Sequence, residues 1–140
     1  LVFCGYGEPM ERCDVLLEVA KYVKQTTDMT IRINTNGLVD FINPAFDPYK
    51  MRYLIDSISI SLNAPDPESY LEVTKPKFGL PSFNSMINFA QTVKSIVPTV
   101  MFTVVDVISP EQIEQCKELA EGLDIPLRIR HFVTDNKSYT

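Results

Sequence analysis

Ser57-Ile58-Ser59-Ile60-Ser61-Leu62-Asn63 alternates small polar residues with aliphatic ones. Side chains of a strand point to opposite sides in turn, so this segment reads as a strand with one apolar face and one polar face. The same pattern recurs on either side of it. Ile31 and Ile33 alternate with Arg32, Asn34 and Asn36, and Leu127 and Ile129 alternate with Arg128 and Arg130. Two further runs, Leu1 to Cys4 and Val100 to Val105, complete a set of β-rich segments that includes Thr30 to Thr35, Ser57 to Leu62 and Leu127 to Phe132. Most of these runs start roughly 30 residues apart, the length of a strand, a crossover helix and the next parallel strand.

The intervening segments supply the helices. After Asp14, read as an N-cap, Leu16, Val19, Ala20 and Val23 form an apolar stripe at helical spacing. Met86, Phe89, Ala90 and Val93 repeat that spacing after Ser82. Ser109-Pro110-Glu111-Gln112 combines a capping box with Pro at the first helical position, and Ile113, Cys116, Ala120 and Leu123 continue it. Asp40 to Tyr53, interrupted by Pro44 and Pro48, has room for two helical turns ending near Leu54. Asn63 to Pro81 is rich in Pro and reads as an ordered functional loop with one helical turn around Glu68 to Val73.

Parallel strands covered by helices on both faces are apolar throughout, which these are not. Helices on one face only imply a barrel or part of one. A closed eight-stranded barrel fills its interior with Val, Ile and Leu. Here the inner face carries Arg32, Asn34, the serines 57, 59 and 61, Arg128 and Arg130, groups that are costly to bury unpaired. The expectation is an open α/β barrel whose lumen holds water or a polar ligand.

Composition narrows the function classes. The chain has 140 residues, 45% hydrophobic and 22% charged, with a formal net charge of −5. That describes one globular domain and argues against intrinsic disorder. No run approaches the ~18 apolar residues of a membrane helix. The acidic balance argues against non-specific nucleic-acid binding. Cys4, Cys13 and Cys116 are too widely spaced for a disulfide framework or a zinc site and read as reduced thiols, hence a cytoplasmic protein. The chain opens inside an apolar run, without Met, as a piece of something longer would.

Cys4-Gly5-Tyr6-Gly7-Glu8-Pro9-Met10 places a glycine turn and an acid at the carboxyl end of a strand, where parallel α/β folds bind ligands. Phe3-x-Gly5-x-Gly7-Glu8-Pro9 resembles the second-strand motif of radical S-adenosylmethionine (SAM) enzymes. Asn34-Thr35-Asn36-Gly37 and Ser59-Ile60-Ser61-Leu62-Asn63-Ala64-Pro65 resemble segments on the next strands of that family. The wording of Ser61 to Tyr70, with Val73-Thr74-Lys75-Pro76, most resembles the radical SAM group associated with TatD-type nucleases.

The resemblance implies a partial (β/α)6 TIM-like barrel over residues 1 to 134, holding strands two to six, followed by a hydrophilic tail, 135 to 140. It implies that Gly5, Tyr6, Gly7, Glu8 and Pro9 bind the methionine part of SAM, with Glu8 on the amine. Asn36 and Ser61 would lie near methionine or ribose, and Asn63 near ribose or substrate. Arg128 or Arg130 would meet the SAM carboxylate or an anionic substrate, or else form a lumen salt bridge to Glu8 or Asp106. Tyr6 would stack on adenine or substrate, or stay exposed. His131 is expected to pack toward the helices with a satisfied ring, and Asp66 and Glu68 to be solvated.

The family's Cys-x-x-x-Cys-x-x-Cys loop, which holds a [4Fe-4S] cluster, does not occur in the chain. The three cysteines therefore read as ordinary thiols, and the first strand and cluster loop would lie in a longer parent. That parent would cleave SAM reductively to a 5'-deoxyadenosyl radical acting on an unknown small-molecule substrate, while this piece alone would be inactive. A missing first strand would leave Leu1 to Cys4 as an open edge prone to self-association. Two other readings compete: a non-catalytic α/β module binding a nucleotide or small polar ligand, and a doubly wound hydrolase-type domain. The latter lacks a nucleophile elbow and a P-loop.

Overall fold

Five parallel strands stand side by side in the order in which they occur along the chain. They are β1 (Val2–Phe3), β2 (Arg32–Thr35), β3 (Ser57–Ser61), β4 (Thr99–Val105) and β5 (Leu127–Arg130). The computed structural model describes residues 1 to 4 and 7 to 132; Gly5, Tyr6 and the expected tail 135 to 140 lie outside the described residues. Five helices fill the connections: α1 (Cys13–Thr26), α2 (Val39–Ile42), α3 (Pro67–Thr74), α4 (Ser82–Lys94) and α5 (Pro110–Gly122).

A sequential strand order leaves no point at which the winding reverses, so right-handed crossovers carry successive helices to the same face. That order excludes the doubly wound alternative. Burial follows the alternation. Ile31, Ile33, Ile58, Ile60, Phe102 and Val104 are buried against the helices, whereas Arg32, Asn34, Ser57, Ser61, Met101 and Thr103 are only half-buried on the other face. Among the described residues β1 and β5 each pair on one side, so the sheet is an open arc, consistent with part of a TIM-like fold. No described helix is long and apolar enough to cross a membrane.

The helices fit their sequences with three corrections. α1 starts at Cys13 after a 3-10 turn, Pro9–Arg12, and Arg12 stands at its N-cap without a side-chain bond, so Asp14 is not the cap. Its buried face is Cys13, Leu16, Leu17 and Ala20, one step round from the expected stripe; Val19 is exposed and Val23 half-buried. The physical reason is that the chain enters the helix from the Pro9 turn, with Met10 already buried beneath it. α3 is longer than the single expected turn because Asp66 caps it, accepting from the Ser69 N–H and hydroxyl, each at 2.8 Å. Asp66 is thus not merely solvated. The expected capping box at Ser109 and Gln112 is present, and α4 buries Met86, Phe89, Ala90 and Val93.

Asp56 ties the amino-terminal ends of the strands together. Its carboxylate accepts from Lys24 of α1 at 2.6 Å and from the Ile31 N–H at 2.7 Å, while its own carbonyl accepts from Thr99 of β4. Burial by itself pushes this carboxyl up, but the bonds from Lys24 and Ile31 together hold it below the ordinary carboxylate range. A depressed folded pKa stabilises the fold above the unfolded value of about 3.9 and loses that contribution as pH falls through the folded pKa. Asp56→Ala is expected to lower stability by about 1–2 kcal/mol at neutral pH, a deficit that shrinks below about pH 4. Urea denaturation at both pH values measures it.

Candidate functional site

The turn after β1 is fastened to the end of β2 by one carboxylate. Glu8 Oε1 accepts from the Thr35 hydroxyl at 2.7 Å and the Asn36 N–H at 2.6 Å, and Oε2 accepts from the Met10 N–H at 3.0 Å. Three of the roughly four acceptor positions of a carboxylate are used, which leaves one on Oε2 for a ligand. The β2 end is built to meet it. Asn36 Oδ1 accepts from the Leu38 N–H, and the Thr35 hydroxyl oxygen accepts from the Gly37 N–H. Gly37 has φ +75, and a Cβ there would lie 3.0 Å from both Ile60 and Met86, so the turn requires glycine.

Glu8, Asn36 and Asn63 line a cleft of about 640 Å³ at the carboxyl ends of β1, β2 and β3. Asn63 sits at φ 64, a conformation Asn adopts more readily than most side chains. The rest of the wall comes from residues that sequence reading did not single out. Tyr70, Lys75 and Lys77 face the same space, beside Phe41 and Phe78, whose rings stack at 4.9 Å. The acids Glu8 and Glu11 and the two lysines give the cleft walls of both charges. The signal for Lys75 and Lys77 was the proline-rich loop itself, but nothing in its composition says which way it folds back.

The remaining expected residues fall elsewhere. Gly7 and Pro9, with Glu8, line a separate groove beside β1, and a Cβ at Gly7 would meet nothing within 4 Å. Gly5 and Tyr6 lie outside the described residues. Ser61, Arg128 and Arg130 line a cavity of about 270 Å³ on the polar sheet face, together with Arg32, Asn34 and Ser59. Neither Arg128 nor Arg130 forms a salt bridge to Glu8 or Asp106; Asp106 instead pairs with His131 at 2.8 Å and accepts from the Phe132 N–H at 2.6 Å. The Phe132 bond first, then His131, holds the Asp106 carboxyl below its ordinary range. His131 is 86% exposed, which corrects the expected packing against the helices: it lies past the last ladder residue, where the chain leaves the sheet.

The cysteines are not arranged for a metal. Among the described residues no three Cys, His, Asp or Glu side chains form a ligand set. Cys4 is exposed, the buried Cys13 thiol donates to the Met10 carbonyl, and burial pushes the Cys116 thiol up to about 11. Glu68 is exposed, as expected.

No protein-family profile and no curated protein matches the sequence. A crystal structure of a radical SAM methyltransferase from Sphaerobacter thermophilus does match the fold, with a TM-score of 0.66 over 93% of this chain at 16% sequence identity. The chain shares that protein's α/β fold over nearly its whole length. The chain spans half the length of that protein, an enzyme, and at this identity the likeness concerns architecture alone.

The Glu8 bonds make the carboxylate a structural fastener as well as a candidate ligand group. Glu8→Ala is expected to destabilise the chain by about 2–4 kcal/mol, because three donors lose a charged acceptor at once. Chemical denaturation measures this, and an unchanged midpoint would show that the fastener contributes nothing.

Proposed function

We propose that this chain is part of the core of a radical SAM enzyme, with the amino-acid end of SAM held at the carboxyl ends of β1, β2 and β3. The observation that carries this reading is the convergence of Glu8, Asn36 and Asn63, from three successive strand ends, on one cleft. Oε2 of Glu8 would accept from the SAM ammonium and Asn63 would bond ribose or substrate, while Gly5, Tyr6, Gly7 and Pro9 would bind the methionine part of SAM. Ser61 and Arg128 or Arg130 would face the ligand from the lumen. On wording alone, we place the chain with the TatD-nuclease-associated group.

In such enzymes a [4Fe-4S] cluster supplies the electron for SAM cleavage, yielding a 5'-deoxyadenosyl radical. The described residues do not fit that cluster, since one thiol is exposed and the other two are buried without a shared ligand set. Its ligands are therefore assigned to sequence outside these 140 residues, and no step is assigned to this chain through it. A second reading, a non-catalytic small-ligand module on the same scaffold, rests on the same cleft.

Two measurements separate the readings. The full-length protein, reconstituted anaerobically with iron and sulfide, is expected to release 5'-deoxyadenosine from SAM when reduced. Asn63→Gly keeps the left-handed backbone and removes the amide, so SAM binding by equilibrium dialysis should weaken about fivefold to thirtyfold, the worth of about 1–2 kcal/mol, with stability unchanged. SAM binding without cleavage would favour the binding module. No binding to a folded protein would overturn both assignments of this cleft to SAM.

The open edge of β1 carries a further expectation. Leu1 and Val2 are exposed there, and Val2 lines a groove with the exposed Val15 of α1. Isolated residues 1 to 140 should self-associate through that edge, seen as a sedimentation coefficient that rises with concentration. A clean monomer at all concentrations would remove this proposal.

A further inference from the structure

The polar face of the sheet carries a concentration of positive charge outside the strand-end cleft that Glu8, Asn36 and Asn63 line. Arg32 of β2 and Arg128 and Arg130 of β5 line one cavity of about 270 Å³, and no carboxylate lines it. This is notable in a chain of net charge −5. Among the described residues none of the three arginines forms an ion pair. Arg32 Nε and Asn34 Oδ1 are buried side-chain atoms with no hydrogen-bond partner among the described residues. Burying a charged donor without an acceptor is unfavourable, and a protein keeps such a group chiefly where something else completes it.

The strand registers explain why these groups meet. Asn34 stands beside Ser59, and Ser61, Thr103 and Arg128 form one row across β3, β4 and β5. Arg32 lies one step below Asn34 on the same face of β2, so the cations flank a floor of hydroxyl groups from both sides. Guanidinium groups fork onto phosphate and carboxylate oxygens, and serine and threonine hydroxyls donate to the same oxygens. Rotating the Asn34 amide leaves its shape unchanged and presents N–H donors in place of Oδ1. The cavity is smaller than a whole ligand pocket, which suits one anionic group rather than an entire substrate.

We propose that this face is a subsite for an oxyanion group of the substrate, with Arg32, whose Nε is buried, as recognition residue on one side and Arg128 on the other. The substrate class is then a small organic anion, a phosphate ester or a polycarboxylate, whose charged end rests on the sheet face. This rests on reading the polar face as the substrate side of the proposed radical SAM core.

Two binding measurements on the full-length protein test it at low ionic strength. Calorimetry with inorganic phosphate and with malonate distinguishes the two oxyanion sources, and equilibrium dialysis follows SAM. At least one anion is expected to bind at millimolar concentration or tighter, to weaken at least tenfold in Arg32→Gln and in Arg128→Gln, and to weaken as salt rises. Arg32→Gln should keep SAM binding within twofold and leave the melting temperature equal or higher, because it removes a charged group whose buried Nε has no partner among the described residues. Anion binding that Arg32→Gln does not change, or no anion binding in a protein that binds SAM, overturns the subsite. Anion binding that depends on Arg32 in a protein that does not bind SAM sustains the subsite while removing the SAM reading.

Discussion

The period-two alternation of the strands, combined with their sequential order, is the constraint from which the rest of this structure follows. An aliphatic residue at every second position directs Ile31, Ile33, Ile58, Ile60, Phe102 and Val104 toward the helices, where each is almost wholly buried. Full burial of such side chains contributes about 1.5–3 kcal/mol apiece, far more than any polar contact on the opposite face. A slip of one residue in β2, β3 or β5 would reverse both faces and place an arginine or serine in the helix-covered core. Helix packing therefore holds the polar set in register on a surface that packing itself does not need.

Function on such a scaffold depends on fixing the strand ends, and Glu8 does this between the first two. Its carboxylate connects the end of the turn after β1 to the Thr35–Asn36 corner, and Gly37 lets that corner approach Ile60 and Met86. Asp56 performs the corresponding task at the amino-terminal side, joining α1, β2 and β4. Each carboxylate accepts charge-assisted or backbone bonds across elements far apart in sequence, so each couples tertiary order to a single ionisable group. A ligand bound to the remaining acceptor of Glu8 would be sensing a group already fixed in place, which reduces the ordering cost of binding.

The strands, three of the five helices (α1, α4 and α5) and the one-sided cover were legible from periodicity, because burial of one face leaves a repeating signature. The helix faces were less so. Val19 and Leu17 are both aliphatic and adjacent in the pattern, and only the entry of the chain through the Pro9 turn decides which is buried. Candidate residues in regular strands, such as Ser61, Arg128 and Arg130, could be placed on a face from alternation alone. Those in loops could not: Lys75, Lys77 and Phe78 reach the cleft through a left-handed residue at Lys75 and the length of α3, neither of which composition reveals. His131 was misread because a residue one step past a strand no longer obeys the alternation.

The two clefts also differ in how they relate to stability. The strand-end cleft is lined by groups with internal work to do, Glu8 as a fastener and Asn36 as a turn former, so selection for folding alone would tend to retain them. Arg32 is the opposite case. Its Nε is buried without an acceptor among the described residues, and a glutamine or methionine of similar length would cover the same surface at lower electrostatic cost. The fold supplies no reason for a guanidinium at that position, nor for two more within the same small cavity. A guanidinium whose buried Nε lacks a partner, facing Ser59, Ser61, Thr103 and Met101, is best explained by what it meets in the bound state, and the charge and geometry there favour an oxyanion.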